Sequence, residues 1–399
     1  MSTLPGAQRP LGLRMALLSA IGLFEAMVFG LTHPIYALNL QQQGFSESEI
    51  GFNATLGGLG VFLVGPFVPW LIARAGYRNY TVFCFLAAAA SIGALAAGPG
   101  FIGWCVSRLL LGMALGSLWI LTEAWLNEIV PDTARGRANS VFQFCYSVGF
   151  MAGPGLVMAV GFAGGLPIAF MVVMALAGCV ATLFLPQPAA PTADAGRLDL
   201  RVAREALPLI SVAFVTGLVE TALYTMLPIF GQKAGFGEQG ALSLLIALSV
   251  GAITMALPIG LASDRYRRTW LLAGVSGGAL VSMLLLFAGT LSYPVALAAC
   301  YLAGGTIIGM YSVSLVILGE RYAHKALASV AACYAMAYAL GSTFGGLMGG
   351  GSVEFAGAAG LPALGTAVIG VFAACLLAGA ARRQWRRGRN KASTQWEPT

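Results

Sequence analysis

Residues 207–230 read LPLISVAFVTGLVETALYTMLPIF. The length suits one helical crossing of a bilayer, which takes about 20 apolar residues. Glu220 stands in the middle of the run, and Pro208, Thr216, Gly217, Tyr224, Thr225 and Pro228 interrupt it. A charge at the bilayer centre is costly, so a carboxylate there is a functional hypothesis by default. Residues 12–38 repeat the plan, with Glu25 mid-run and His33-Pro34-Ile35-Tyr36 answering Leu227-Pro228-Ile229-Phe230. Downstream, Gly44-Phe45-Ser46-Glu47 answers Gly235-Phe236-Gly237-Glu238. Two matching carboxylate-bearing helices predict a duplicated chain with its site between the halves.

Composition agrees with that reading. Of 399 residues, 58% are hydrophobic and 9% charged, where a soluble domain carries roughly 25% charged residues. The pattern predicts an all-α membrane protein with helices at about 12–38, 46–73, 80–98, 101–128, 137–162, 164–185, 206–231, 239–262, 269–290, 293–318, 325–350 and 359–381, each near bilayer length. A Pro-rich, charge-alternating stretch at 186–205 reads as a surface linker. It divides the chain into an N-terminal six-helix bundle (1–185) and a C-terminal one (206–381). A basic tail, 382–399, is expected against anionic headgroups.

The net charge of +7 does not call for nucleic acid. Only Lys233, in an outer loop, and Arg108, inside a span, fall outside the predicted cytoplasmic segments. By the positive-inside rule both termini are cytoplasmic. The seven cysteines all fall within predicted spans and form no CxxC pair, so they read as small buried hydrophobes with no disulfide framework and no metal. No Walker lysine, zinc-ligand spacing or GxSxG lies in a loop large enough for an enzyme. Neither catalysis nor a cofactor is expected.

Polar residues concentrate in some helices. Helices 3, 6, 9 and 12 have no ionisable residue in their apolar interiors, whereas helices 1, 4 and 7 hold Glu25, Arg108, Glu123 and Glu220. On helix 4, Arg108, Gly112, Gly116, Trp119, Glu123 and Asn127 recur every three or four positions, on one face. Arg108 and Glu123 stand about 22 Å apart along that helix and cannot pair with each other. Glu123 has a structural alternative, an ion pair with Arg135, Arg137 or a neighbouring helix. Helix 1 lines up Glu25, Phe29, Thr32, His33 and Tyr36, and helix 7 lines up Thr216, Glu220 and Tyr224. Helix 11 adds Tyr334, Tyr338 and Ser342. His33 reads equally as a satisfied interfacial histidine or a proton relay. Desolvation disfavours the charged form of a carboxylate, so such a group can take a proton on one side of a membrane and release it on the other.

Gly260-Leu-Ala-Ser-Asp264-Arg265-Tyr-Arg267-Arg268, at the inner end of helix 8, resembles the signature loop of the major facilitator superfamily. The first-half copy, Pro69-Trp-Leu-Ile-Ala73-Arg74-Ala-Gly76-Tyr-Arg78, keeps Arg74, Gly76 and Arg78. It has Pro69 for the first glycine and Ala73 for the aspartate. Arg108 through Gly112 and Gly116 resembles that family's helix 4 arginine motif, to which a role in proton transfer is attributed. The run from Trp119 to Glu128, followed by Arg135-Gly136-Arg137, resembles a poorly characterised bacterial branch of predicted transporters. Gly149, Gly153 and Pro154 match only the start of the family's antiporter motif and read as a glycine packing seam.

The resemblance implies a fold of twelve transmembrane helices in two pseudo-symmetric halves, rocking about a cavity lined by helices 1, 4, 7 and 10. It implies a monomeric secondary transporter in the bacterial cytoplasmic membrane, whose partners are a small molecule, protons and lipid. Two or three cavity acids among aromatics favour proton-coupled export of a cationic or drug-like molecule. The alternatives are uptake of a nutrient or anion contacted by Arg108, and a non-transporting scaffold or sensor, which would bind without flux.

Overall fold

The computed structural model describes residues 11–130, 132–161, 165–185, 204–322 and 324–375. Most of the expected linker, all of the basic tail, and the side chains of Asn127, Arg135, Arg137 and Asp264 lie outside the described residues. The helices are α1 (Leu11–Gln42), α2 (Glu47–Ala75, tightened to a 3-10 turn at Gly65–Phe67), α3 (Tyr77–Gly93), α4 (Phe101–Ile129), α5 (Asp132–Val160), α6 (Gly165–Leu183), α7 (Leu207–Lys233), α8 (Gly237–Arg265), α9 (Arg268–Gly289), α10 (Tyr293–Arg321), α11 (His324–Ala356) and α12 (360–375).

Eleven helical stretches among the described residues are long and apolar enough to cross a membrane, and the last, Val330–Cys375, runs for 46 residues. Straight, it would measure about 69 Å, more than twice the ~30 Å hydrocarbon core. It is not straight. Gly357 takes a positive φ of 61°, and a Cβ added at Gly360 would collide with the Ser352 carbonyl. The chain therefore doubles back between α11 and α12. The expected boundary at 350 falls short because α11 continues past the glycine run 349–351 to Ala356.

The helices repeat one packing plan. α1 packs on α5 as α7 packs on α11, and α2 packs on α4 as α8 packs on α10. Glycine carries both seams. A Cβ at Gly149 would strike the Leu23 carbonyl, and one at Gly341 the Phe214 carbonyl. Gly112 presses on Gly57, and Gly304 on Leu248, at matching places in the two halves. Without a hydrophobic drive between helices in lipid, such close backbone approach is what holds them. Across the halves α2 meets α11, α5 meets α8 and α1 meets α7. The helices expected to line the centre are also the most buried. In α1, α4, α7 and α10, 56–61% of the most apolar window is buried, against 28–50% elsewhere.

The turns that join α1 to α2 and α7 to α8 are copies as well. Gly44 has φ +84° and Gly235 φ +81°. The next amide, from Phe45 or Phe236, donates back to Leu40 O or Gly231 O at 3.2 and 2.9 Å. Phe45 then packs on Phe101 and Phe236 on Tyr293, the first residues of α4 and α10. The region around Gly44 is open to a Cβ, so Gly44→Ala isolates the left-handed backbone penalty of about 1–2 kcal/mol. Its expected result is a lower apparent melting temperature of the detergent-purified protein.

Candidate functional site

Three glutamates lie on the central helices α1, α4 and α7. Glu25 on α1 is buried, with Oε2 3.4 Å from the Thr122 hydroxyl of α4. That hydroxyl also lies within donating distance of the Leu118 carbonyl of its own helix, at 2.8 Å, and Oε1 of Glu25 has no hydrogen-bond partner among the described residues. One turn apart on α4, the Trp119 indole N–H donates to Glu123 Oε1 at 3.2 Å, and Gln143 of α5 donates to the same oxygen at 3.4 Å. Glu220 on α7 accepts from the Tyr338 hydroxyl of α11 at 3.0 Å. The rings of Trp119 and Tyr338 lie 6.1 Å apart and join the two halves. Tyr311 of α10 stands edge-on to Tyr338 at 5.5 Å. Glu123 and Glu220 thus sit among aromatic faces drawn from α4, α10 and α11.

Toward the C-terminal ends of α1 and α7 from the acids lies an aromatic layer. Phe29 and His33 of α1, Phe150 of α5 and Tyr224 of α7 touch one another, with ring centroids 4.8–6.3 Å apart. Pro34 and Pro228, at matching places in α1 and α7, each withhold one helical hydrogen bond at the edge of this layer. Beside it, Arg108 is 4% exposed. Its guanidinium lies 5.0 Å above the Tyr36 ring, and Nη2 is 3.4 Å from His33 Nδ1. Among the described residues Nε and Nη1 have no hydrogen-bond partner, no carboxylate pairs with Arg108, and the pairing expected for a buried cation is missing.

The remaining candidates are placed as follows. Tyr334 is buried; its hydroxyl meets Ser314 at 2.6 Å and the Tyr311 carbonyl at 2.9 Å, so it braces α10 against α11 and reaches the acids only through Tyr311. Gly149 and Gly153 press on α1, beside a buried Pro154. Gly76, with φ +78°, turns α2 into α3. Arg74 stacks over Trp70, and Arg78 donates to the Leu183 carbonyl of α6. Arg268 pairs with Glu320 of α10 and donates to Ser263 O at 3.3 Å. Arg265 and Arg267 are exposed, and Gly260 meets no close neighbour. These loop contacts stay within one half each.

The sequence reading did not single out Thr122, Gln143, Tyr146 or Tyr311. Gln143 and Tyr146 lie one turn apart on α5, and only the packing of α5 on α1 and α4 brings that helix to the acids. The glycine run in α11 was the signal for another missed feature. Gly346 and Gly350 face α2, while Gly341, Gly345 and Gly349 face α7.

The family model described as Major Facilitator Superfamily matches residues 18–346 and again 209–398. The chain is 26% identical over 341 residues to the uncharacterized MFS-type transporter YfkF of Bacillus subtilis, covering 80% of this chain and 84% of that one. Among solved structures, a mutant of the nucleoside transporter NupG superimposes with a TM-score of 0.75 at 14% identity, covering 92% of this chain and 99% of that one. A D-xylose-proton symporter gives 0.72 at 18% identity, with 91% and 96% covered. At these identities the structural likeness speaks for the fold alone.

Proposed function

The chain belongs to the major facilitator superfamily and is a multi-pass membrane transporter, not an enzyme; from that premise we propose that it exports a small organic cation in exchange for protons. In this reading it works as a monomer in the bacterial cytoplasmic membrane with both termini inside. The observation that carries the reading is the set of glutamates from α1, α4 and α7, two of which, Glu123 and Glu220, accept from the Trp119 indole and the Tyr338 hydroxyl. Carboxylates compensate a desolvated cation, and aromatic faces attract it further.

Coupling follows from competition. A cation binds an ionised glutamate and a proton binds the same group, so each displaces the other. The Thr122 hydroxyl reaches both Glu25 Oε2 and the Leu118 carbonyl, so it can donate to an ionised Glu25 or, turned to Leu118, accept from a protonated one. The exchange moves cargo only because the inward-open and outward-open states bind proton and cation with different affinities. Access alternates as the two six-helix blocks, divided at 186–205, rock about the cavity.

The test is flux in proteoliposomes carrying a tetraalkylammonium or aryl-ammonium probe. A pH gradient is expected to drive the cation uphill, and Trp119→Ala is expected to weaken its apparent affinity by about five- to thirtyfold, the loss of one desolvated cation–π contact. Binding without flux would favour the scaffold reading instead. One observation supports a second reading, proton-coupled uptake of an anion. Arg108 is a buried cation without a carboxylate partner among the described residues, and burying a charge unpaired is costly. In the same vesicles, uptake of a monocarboxylate that disappears in Arg108→Gln, with no cation flux, would replace the export reading.

A further inference from the structure

Lys233 is the one basic residue that the charge pattern places on the outer side, against the bias that sets orientation. The structure gives it a partner in the other half. At the end of α7, its Nζ lies 2.7 Å from Oε1 of Glu47, in the first turn of α2. The next residue, Ser48, donates its backbone N–H to Glu354 Oε2 at 2.8 Å. Glu354 comes from the outer end of α11, so a carboxylate of one half caps a helix of the other, where the positive end of the helix dipole favours it. Directly below, α2 and α11 meet through backbone. A Cβ at Gly51 would collide with Gly346, one at Gly350 with the Glu47 carbonyl, and one at Gly58 with Thr343.

The duplication makes this arrangement informative. At the matching end of α1 stands Gln42, and at the start of α8 stands Glu238. The charge pair therefore has no copy on the α1–α8 side. The pair is also only partly buried, with 35% of the Lys233 side chain and 20% of the Glu47 side chain exposed. Partly exposed pairs are weak, whereas breaking a fully buried one is strongly unfavourable. A contact that must open in every cycle needs the first kind.

We propose that Glu47, Lys233 and Glu354 form an outer clasp. It draws the halves together on the α2–α7–α11 side and parts when the cavity opens outward. Lys233 is then a positioning residue for transport, acting on the balance between states without touching cargo. The inference needs alternating access and is independent of which cargo is carried.

A cysteine pair reads the clasp. A Cβ at Gly351 would lie 4.0 Å from Ser48 Oγ, so Ser48→Cys with Gly351→Cys reports the closed outer seam by oxidative crosslinking. The background replaces the partly or fully exposed Cys105, Cys145, Cys333 and Cys375. In proteoliposomes without substrate, Lys233→Gln and Glu47→Gln are each expected to slow crosslinking by up to about fivefold, the scale a partly exposed pair supports. The swap of Lys233→Glu with Glu47→Lys is expected to restore the parent rate. Glu354→Gln, which keeps an acceptor for Ser48, is expected to slow it less than either. Unchanged rates in both single variants overturn the clasp, as does a swap that stays as slow as the singles. The assay holds no cargo, so its failure is separate from a failure of cation flux.

Discussion

Glu220→Gln is expected to abolish flux driven by a pH gradient while leaving expression and the melting temperature near those of the parent. Gln matches Glu in shape, and its amide oxygen still accepts from the Tyr338 hydroxyl that now lies 3.0 Å from Glu220. The helix contacts of α7 with α11, which rest on backbone at Gly217, Gly341 and Gly345, are untouched. What disappears is the ability to gain and lose a proton. Loss of a positioned proton-transfer group reduces rates by about 10²–10⁴-fold, and coupled flux should fall on that scale. Exchange of cargo down its own gradient does not require the proton and is expected to persist. Coupled flux at the parent rate would remove Glu220 from the mechanism and leave Glu25 or Glu123 to carry it.

Gly346→Leu is the second large effect, and it is expected to separate transport from folding. The added side chain strikes the Thr55 amide and the Gly51 carbonyl of α2, across the boundary between the halves. Overpacking of this kind costs about 1–3 kcal/mol. With alternating access the cost falls only on conformations whose α2–α11 seam is closed, so it is expected to shift the state balance by about five- to 150-fold and to slow flux accordingly. The control is Gly341→Leu, five residues earlier on the same helix. Its side chain strikes the Phe214 carbonyl of α7, inside one half, and no rocking motion relieves that collision. It is expected to lower yield and melting temperature in every state. Equal thermal losses in the two variants would show that the α2–α11 seam is a fixed part of the fold.

Much of the architecture is legible in the sequence. Glu25 and Glu220 marked α1 and α7 because carboxylates rarely stand in lipid-depth helices. The two Gly-Phe-x-Glu turns marked the duplication, and they fold as copies because a left-handed residue is needed at Gly44 and Gly235. Helix 4 showed a polar face, yet its face was not uniform. Gly112 and Gly116 press on α2, while Trp119 and Glu123 turn to the acids. Spacing of three or four residues places side chains on one broad face but does not say which neighbour covers which part of it.

The chain alone determined that this protein lives in a membrane and that it is built twice, and its Lys and Arg set an expectation for which way the segments lie. Those properties follow from local quantities, the length of apolar runs, the position of Lys and Arg, and repeated turns. Tertiary structure decided what those quantities leave open. It joined Trp119 to Tyr338 and Lys233 to Glu47, residues far apart in sequence, and it left Arg108 without a carboxylate partner among the described residues. Such pairings depend on which helix faces meet, and in lipid that is set by where glycine lets two backbones approach, a relation between helices that no single stretch of sequence contains.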